Sequence, residues 1–419
     1  MASKASVALR FGWQVTGFVE AGDRVTVTAI GRGDGRERQY SAAFLVGCDG
    51  PRSVVRKGLR IDYQGESDVV RDFMGGRMHA IYLRSPELYG LIRGDRAWMY
   101  WTINRQRRAL MAAIDGQREF VFSAQLKPGE EEEGGISETR ARAMFFEALG
   151  AECHIDIVNH LSWTAGLTLV AERFRQGRVL LAGDAVHLFT PTGGLGYNTA
   201  VEDAVNLAWK LAAAVQGWGG PKLLASYELE RLPIARRNTA HARRFADSIG
   251  RYVPPTDIED EGDAGAAVRR EAGAFLLAHA RAEFDIPGIT FGTRYDGSPL
   301  VVGDGSAPPA DEPNRYVPSA APGGRAPHAW LADGRSLFDN FGLDFSLLRL
   351  GPTARPADRI VETARRQGVP LRVIDVPSDE VRDAYQADLV LLRPDQMVAW
   401  RGDDLPGDVQ SLVAVVTGH

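Results

Sequence analysis

Apolar positions along the chain begin as short β-type runs, become helical stripes in the middle, and return to a mixed pattern at the end. Residues 7–18 and 24–30 alternate and are rich in Val, Thr and aromatic side chains, which predicts a hairpin turning at Glu20–Asp23. Gly31–Arg36 (GRGDGR) predicts a second turn leading to a strand from Tyr40 to Val46. Its glycine spacing is not that of a dinucleotide loop, and strands rather than a helix follow it. The run Phe44–Cys48 is continuously apolar, as a buried parallel strand is, and Asp49-Gly50 ends it before a short helix capped by Ser53. Between Tyr63 and Trp163 the pattern predicts an antiparallel sheet with strands at Met78–Leu83, Ala97–Thr102, Ala109–Ile114 and Glu119–Gln125. A helix is predicted over Glu138–Leu149, and the acidic run Glu130–Glu133 reads as a solvated loop.

Residues 178–210 form the stretch around which the rest is organised. The apolar run Val179–Ala182 predicts a buried strand, broken by Gly183-Asp184. A loop with Pro191, Gly193, Gly194 and Gly196 follows, and helical periodicity begins at Asn198. Val201, Ala204, Val205, Ala208, Trp209, Leu211 and Ala212 then make one apolar stripe, predicted to face the core. Strand, Asp-bearing turn, glycine loop and helix N-terminus make an arrangement that admits a large flat ligand close to the backbone. Unpaired N–H groups at the helix start favour an anion or a polarised carbonyl. The spacing alone fits a strand–turn–helix joint with glycines for tight packing equally well.

Beyond residue 210 the chain reads as helical to about 282, with one helix opened by Pro221 and a second over Arg236–Gly250. Pro254–Gly265 reads as an exposed loop, and His241 as a surface helix residue. Residues 286–325 carry many prolines and predict a linker or irregular connection. The remainder predicts strand Ser346–Leu350, helix Ala357–Gln367, strand Leu371–Asp375, helix Ser378–Tyr385, strands Asp388–Arg393 and Met397–Trp400, and a helix near Asp408–Val415. This βαβαββα order resembles a thioredoxin-like domain, here without cysteine and so without thiol redox chemistry.

Composition narrows the function. With 419 residues, 44% hydrophobic and 25% charged, the chain has the material for two or three soluble domains. A net charge of −5 argues against nucleic acid or an anionic membrane as the main partner, local basic groups such as Arg236, Arg237, Arg243 and Arg244 notwithstanding. Two cysteines, Cys48 and Cys153, cannot build a disulfide framework or a cysteine zinc site, which fits a cytoplasmic location. The first residues hold no signal-peptide apolar segment, and no run reaches the roughly 18 apolar residues of a membrane span.

The words themselves say more. GDAVH…P.GG.G.N.A.EDA.NLAWKLA resembles the second FAD-binding motif of the flavin-dependent aromatic hydroxylases, the single-component group A monooxygenases. VGCDGPRSVVR at 46–56 is similar to that family's Asp-Gly motif, which serves both FAD and the nicotinamide donor. GRAPHAWL at 324–331 and LVLLRPDQMVAWRGD from 389 are similar to the C-terminal domain appended to many of these enzymes. The resemblance implies a mixed α/β (α+β) fold: a truncated FAD-binding Rossmann-like domain, an antiparallel-sheet substrate domain and a C-terminal thioredoxin-like domain. The implied boundaries are 1–60 and 166–285 for the FAD-binding domain, 61–165 for the substrate domain, 286–325 for the linker and 326–419 for the last domain. It further implies FAD as cofactor, NADH or NADPH as electron donor, and oxygen transfer from a flavin C4a-hydroperoxide to a phenolic or polyketide-like ring. Asp49, Gly50 and Arg56 are then candidates for pyrophosphate and nicotinamide contacts, and Gly183-Asp184 for the ribityl hydroxyls. Pro191 with Gly193, Gly194, Leu195 and Gly196 would face the isoalloxazine edge. Backbone N–H groups near Gly196, Tyr197 and Asn198 would stabilise charge at its N1–O2 side. Tyr197 stands where the family often has Met, and His187 is expected to be structural. No residue is assigned as a substrate base. Of the aromatics Trp98, Tyr100 and Trp101, strand alternation lets only one set line a substrate cavity, and core packing is expected for most of them.

The family's opening βαβ unit with its G-x-G-x-x-G loop is not found in this chain, although such a unit needs roughly 30 residues. Three explanations follow: a fragment, a split enzyme completed by another polypeptide, or a degenerate remnant. The intact remaining motifs favour the first. A homodimer or a complementing N-terminal polypeptide is the expected partner, because parallel strands without neighbours leave apolar edges open. Two rival readings stand beside the hydroxylase. A halogenase or prenyl reductase of the same fold would share the GD loop, but a halogenase word W-x-W-x-I-P is replaced here by WMYW at 98–101. A non-catalytic binding or assembly subunit would keep the fold without flavin, and a colourless, partner-dependent protein would mark it.

Overall fold

A computed structural model describes residues 4, 6–67, 75–92, 94–131 and 134–419. The chain opens with a three-stranded antiparallel sheet of β1 (Trp13–Ala21), β2 (Arg24–Gly31) and β3 (Glu37–Ala42). Ala21 lies opposite Arg24, so the hairpin turn shrinks to Gly22-Asp23, with Gly22 at φ 61°. The strand expected over Tyr40–Val46 is divided. Polar ERQYSA suits the exposed hairpin sheet, whereas apolar Leu45–Gly47 forms a separate, more buried strand β4. α1 (Val54–Gly58) follows, its N-cap Ser53 accepting the Arg56 N–H at 2.8 Å, and then β5 (Tyr63–Glu66).

The middle section holds β6 (Gly76–Arg84), α2 (Leu88–Leu91), β7 (Met99–Ile103), β8 (Arg108–Ala113), β9 (Glu119–Gln125), α3 (Glu138–Leu149) and β10 (Asp156–Ala165). Its five strands make an antiparallel sheet in the order β10-β6-β9-β8-β7. One face packs Ile81, Leu83, Phe120 and Phe122 against Met144 and Phe145 of α3. The other packs Met78, Trp101, Leu110 and Trp163 against Ile249 and Leu276. The acidic run is a loop where it is described, and it is solvated at Glu131 but not at Glu130. Glu130 is nearly buried between Arg107 and Arg140, and Glu131 pairs with Arg77. Glu132 and Glu133 lie outside the described residues.

β11 (Thr168–Ala171), β12 (Arg175–Gln176), β13 (Val179–Leu181) and β14 (His187–Leu188) lead into the helices α4 (Leu195–Gln216), α5 (Pro221–Arg251), α6 (Asp263–Phe284) and α7 (Pro287–Phe291). β13 pairs in parallel with β4, Gly47 opposite Leu181. Gly47 permits this contact: a Cβ there would lie 2.7 Å from Val55 Cβ and 2.9 Å from Leu181 Cδ2. The two helices expected between 221 and 250 are one, running through Pro233. The carbonyl four residues before a proline loses its helical donor, and Leu229 is 59% exposed, on a turn open to solvent.

The polarity of α4 corrects the sequence expectation. Val201, Ala204, Val205, Ala208 and Ala212 are exposed, and the buried side carries Thr199, Asp203, Asn206, Leu207, Trp209 and Lys210. The charges are buried because α5 meets them with opposite charges. Arg231 Nε donates to Asp203 at 2.8 Å and Lys210 Nζ to Glu230 at 2.6 Å. His241, expected on the surface, is also buried.

The last unit comprises β15 (Phe345–Leu350), α8 (Asp358–Arg366), β16 (Leu371–Val376), α9 (Asp379–Tyr385), β17 (Leu389–Leu392), β18 (Val398–Gly402) and α10 (Val409–Thr417). Its sheet runs β16-β15-β17-β18 with only the first pair parallel, the thioredoxin-like order. The connection before it is irregular yet packed, with Tyr295, Leu300, Ala320 and Ala321 buried. Backbone and side-chain contacts fix the unit to the rest: the Gly220 N–H donates to Thr417 O at 2.8 Å and the Lys222 N–H to Gly418 O at 3.0 Å. Phe345 meets Trp209 and Trp218 edge-on, and Arg393 donates to Glu230 at 2.6 and 2.8 Å. Among the described residues no helix is long and apolar enough to cross a membrane.

Candidate functional site

The carboxyl ends of β4 and β13 lie side by side, joined by the Ala182 N–H donating to Gly47 O at 3.0 Å. One strand ends in Asp49-Gly50 and the other in Gly183-Asp184. Ligands of parallel α/β sheets settle outside this end of the strands. Asp49 uses its carboxylate to hold the turn, accepting Ser53 Oγ at 2.6 Å, Val54 N at 2.7 Å and Val55 N at 3.1 Å. Arg56 is buried rather than offered to solvent. It donates to Ile61 O at 2.8 Å and stacks over the Tyr63 ring at 3.8 Å, its Nε without a partner among the described residues. Tyr63 in turn donates to the carbonyl of Asp184 at 2.6 Å, and burial raises its hydroxyl pKa above the ordinary value. The Asp184 side chain is exposed and, among the described residues, committed to no hydrogen bond or ion pair.

Beneath this turn sits a hub that sequence reading missed. Gly183, at φ 63°, donates its N–H to Asp203 Oδ2 at 3.1 Å, and His187 Nε2 meets the same oxygen at 2.7 Å. Arg231 ties Asp203 to Thr199 O and Glu202. Burial, the largest influence, would raise the Asp203 carboxyl, but Arg231 and His187 together outweigh it and hold the group below its ordinary value. His187 is thus structural, as expected.

The glycine loop is held from two sides. Thr192 Oγ1 donates to Ala242 O of α5, and the Gly193 N–H donates to Glu283 Oε1 of α6 at 2.7 Å. Glu283 Oε2 meets His279 Nε2 at 2.8 Å, and His279 Nδ1 meets Ser248 Oγ at 3.1 Å. Gly193 and Gly194 are left-handed, at φ 71° and 64°, and Asn198 Nδ2 closes the loop on Gly194 O at 2.9 Å. Gly196 lies over the Phe189 ring, Leu195 is buried and Tyr197 is 80% exposed. α4 starts with no side-chain cap, so no side chain among the described residues occupies its first N–H groups. Pro191–Gly194 and Asn198 form one wall of a cavity of about 340 Å³, whose other wall is Trp98, Trp101, Leu110, Ile249 and Phe284 of the sheet and helices. Trp98 joins Trp101 there because β7 begins at Met99, so strand alternation does not reach it. Tyr100 packs in the α3 core instead.

Residues 1–242 match the FAD binding domain family, and residues 319–418 match the aromatic-ring hydroxylase C-terminal family. The chain belongs to the FAD-dependent aromatic-ring hydroxylases. This hydroxylase is similar to the FAD-dependent monooxygenase opdD of Penicillium oxalicum, at 31% identity over 99% of this chain and 81% of the relative. A putative polyketide hydroxylase of Streptomyces coelicolor is 30% identical over 98% of this chain and 75% of its own length. Among solved structures, the rebeccamycin biosynthetic enzyme RebC with reduced flavin superposes with a TM-score of 0.84 at 33% identity, covering 97% of this chain and 74% of that one. Aklavinone-11 hydroxylase with FAD and aklavinone superposes with a TM-score of 0.77 at 29% identity, covering 98% and 74%.

The hydroxylase's residues fit FAD. Gly194 has open space where a Cβ would stand, the start of α4 carries no side-chain cap, and Asp184 presents an exposed carboxylate at the end of β13. The structure sets Asp49-Gly50 and Gly183-Asp184 at two neighbouring strand ends, places Pro191, Gly193, Gly194 and Asn198 on the cavity wall, and turns Arg56 inward. Sequence reading missed Tyr63, Asp203, Arg231 and Glu283. A signal existed for two of them: Asp203 lies within the matched EDA word, and His279 and Glu283 stand four apart on one helix face.

Proposed function

We propose that this chain hydroxylates a phenolic or polyketide-like aromatic ring, with FAD in the crevice between the two strand ends and NADH or NADPH as donor. The observation that supports this most is the pairing of a free carboxylate, Asp184, with an aromatic-walled cavity across the glycine loop. Reduced FAD supplies the activation of O2 and the transfer of one oxygen atom to the ring. The chain's own residues bind and orient. Asp184 would accept hydrogen bonds from the ribityl hydroxyls, and the N–H groups of Gly196, Tyr197 and Asn198 would stabilise negative charge on the flavin ring. Pro191, Gly193, Gly194 and Leu195 shape the ring's edge. Asp49 and Gly50 line the pyrophosphate side, and Arg56 acts from behind, by fixing Tyr63 and through it the Asp184 peptide. Trp98, Trp101 and Phe284 bind the aromatic substrate and keep water from it.

The test is NADH and NADPH consumption by the FAD-supplemented chain across a panel of phenols and hydroxylated polycycles. Substrate-dependent consumption with a hydroxylated product supports the reading, and consumption without any substrate dependence overturns it.

Two apolar surfaces flank the crevice. Among the described residues β4 pairs with β13 alone, and Val201 and Val205 of α4 are 43% and 50% exposed. For the partner we propose a complementing βαβ unit that lays a parallel strand on β4 and a helix on α4. A homodimer is the other arrangement, and sedimentation with and without such a unit separates the two.

A further inference from the structure

We propose that Glu283 is the positioning residue of the glycine loop and, with its remaining lone pairs, the acceptor that selects a multi-ring aromatic bearing an O–H or N–H donor at its rim. This rests on the reading that the cavity takes the aromatic substrate. The wall opposite the loop is apolar, and Glu283 is the one carboxylate among the residues lining the cavity. Its side chain is 6% exposed, a position where a carboxylate is destabilising unless it is hydrogen-bonded.

Each oxygen has one partner among the described residues: Gly193 N for Oε1 and His279 Nε2 for Oε2. A carboxylate can accept about four hydrogen bonds, so acceptor capacity remains at the cavity wall. The orientation is not left to chance. His279 is held by Ser248 Oγ, stacks on Phe275 at a 13° interplanar angle and meets Phe245 edge-on. α5 and α6 therefore fix His279, His279 fixes Glu283, and Glu283 fixes the left-handed Gly193 peptide. The hydrogen bond to that peptide is charge-assisted, which makes it one of the stronger restraints on the loop.

The size of the cavity sets the other half of the specificity. About 340 Å³ falls within the ~300–1,000 Å³ of pockets for drug-sized ligands, more than one ring needs. Trp98, Trp101 and Phe284 would bind the flat faces of such a molecule without regard to its rim substituents. Glu283 reads the rim. A donor that reaches it gains a bond to an ionised group, and an ether in its place leaves the carboxylate short of a partner, a difference of about 10-fold or more in affinity.

The experiment measures binding of 2-hydroxyanthraquinone and 2-methoxyanthraquinone to the full chain with saturating FAD, by quenching of tryptophan fluorescence. The expected result is a preference of about 10-fold or more for the hydroxy probe, which falls to within about 2-fold in Glu283→Ala. FAD affinity should fall in Glu283→Ala and be retained in Glu283→Gln, whose side-chain oxygen still accepts the Gly193 N–H. Should Glu283→Ala fail to fold by circular dichroism, a preference reduced by about 3-fold or more in Glu283→Gln supports the proposal, because the charge is gone. No preference in the wild type, or an unchanged preference in the folded variants, overturns the role of Glu283 alone. Retained FAD with neither probe bound overturns the aromatic-cavity reading as well.

Discussion

Asp203 and Arg231 meet at 2.8 Å with both side chains fully buried, and the same carboxylate holds the N–H of Gly183. The flavin turn is therefore anchored from below by a charge pair and not by packing alone. Replacing Asp203 with Ala leaves Arg231 and His187 without their shared partner. Breaking a buried pair in this way should cost ~3–5 kcal/mol. Thermal unfolding of the variant checks it, and a melting temperature close to wild type would show that the pair is dispensable.

Asp184 should behave in the opposite way. It is exposed and uncommitted, so Asp184→Ala should change stability by no more than ~0.5 kcal/mol. Its effect belongs on FAD affinity. Measuring both quantities on the two aspartate variants separates the group that holds the turn from the group that holds the ligand.

Gly183→Ala tests the turn's backbone. At φ 63° an L side chain is strained by ~1–2 kcal/mol. The new Cβ would also stand 3.3 Å from Ala200 Cβ, so α4 must give way. Gly194→Ala, with open space around its Cβ, should show the strain without the clash. Denaturant midpoints for the two variants should rank in that order.

The buried cluster of Glu230, Lys210, Arg393 and Asp395 joins the C-terminal unit to the helices. Arg393→Ala leaves buried Glu230 with Lys210 as its one cation among the described residues, beside the Asn206 and Ser298 donors, and should cost ~3–5 kcal/mol. Limited proteolysis should then cut within 286–325, where the wild type resists. Equal cutting rates would mean that the Phe345–tryptophan contact suffices.

Acid should destabilise the fold through two histidines. Burial pushes His79 down to about 4, helped by neighbouring His160, and burial with the Arg244 charge does the same to His241. Both pKa values lie below the unfolded value of about 6.5, so between those limits the unfolded chain binds more protons. Stability should be flat above about pH 6.5 and fall as pH drops toward 4. Melting temperatures across that range check it, and His79→Gln should make the slope shallower.

Local signals in the sequence carried much of the fold. Ser137 and the periodicity after it define α3 from Glu138 to Leu149, and Asp49-Gly50 and Gly183-Asp184 mark the two strand ends. What stayed hidden depends on partners distant in the chain. The stripe of Val201, Ala204, Val205 and Ala208 reads as a core face, yet α4 buries Asp203 and Lys210 because Arg231 and Glu230 of α5 neutralise them. Helical periodicity records hydrophobicity and not pairing, so of the stripe from Val201 to Ala212 only Trp209 and, in part, Leu211 face the core. The two helices expected from Pro221 and over Arg236–Gly250 are one, because an exposed turn tolerates the hydrogen bond missing at Pro233. For Glu283 the spacing from His279 was legible but its partner was not: only the folded chain brings α6 to the Gly193 peptide.

The most direct measurement is a titration of the 419-residue chain with FAD, followed by gel filtration and a visible spectrum, on wild type and Asp184→Ala. Saturable binding with a retained flavin band, weakened about 10-fold in the variant, is the expected result for a ribityl hydrogen bond to a carboxylate. A colourless wild-type chain, or identical affinities in the two proteins, would contradict FAD seated between Asp49-Gly50 and Gly183-Asp184.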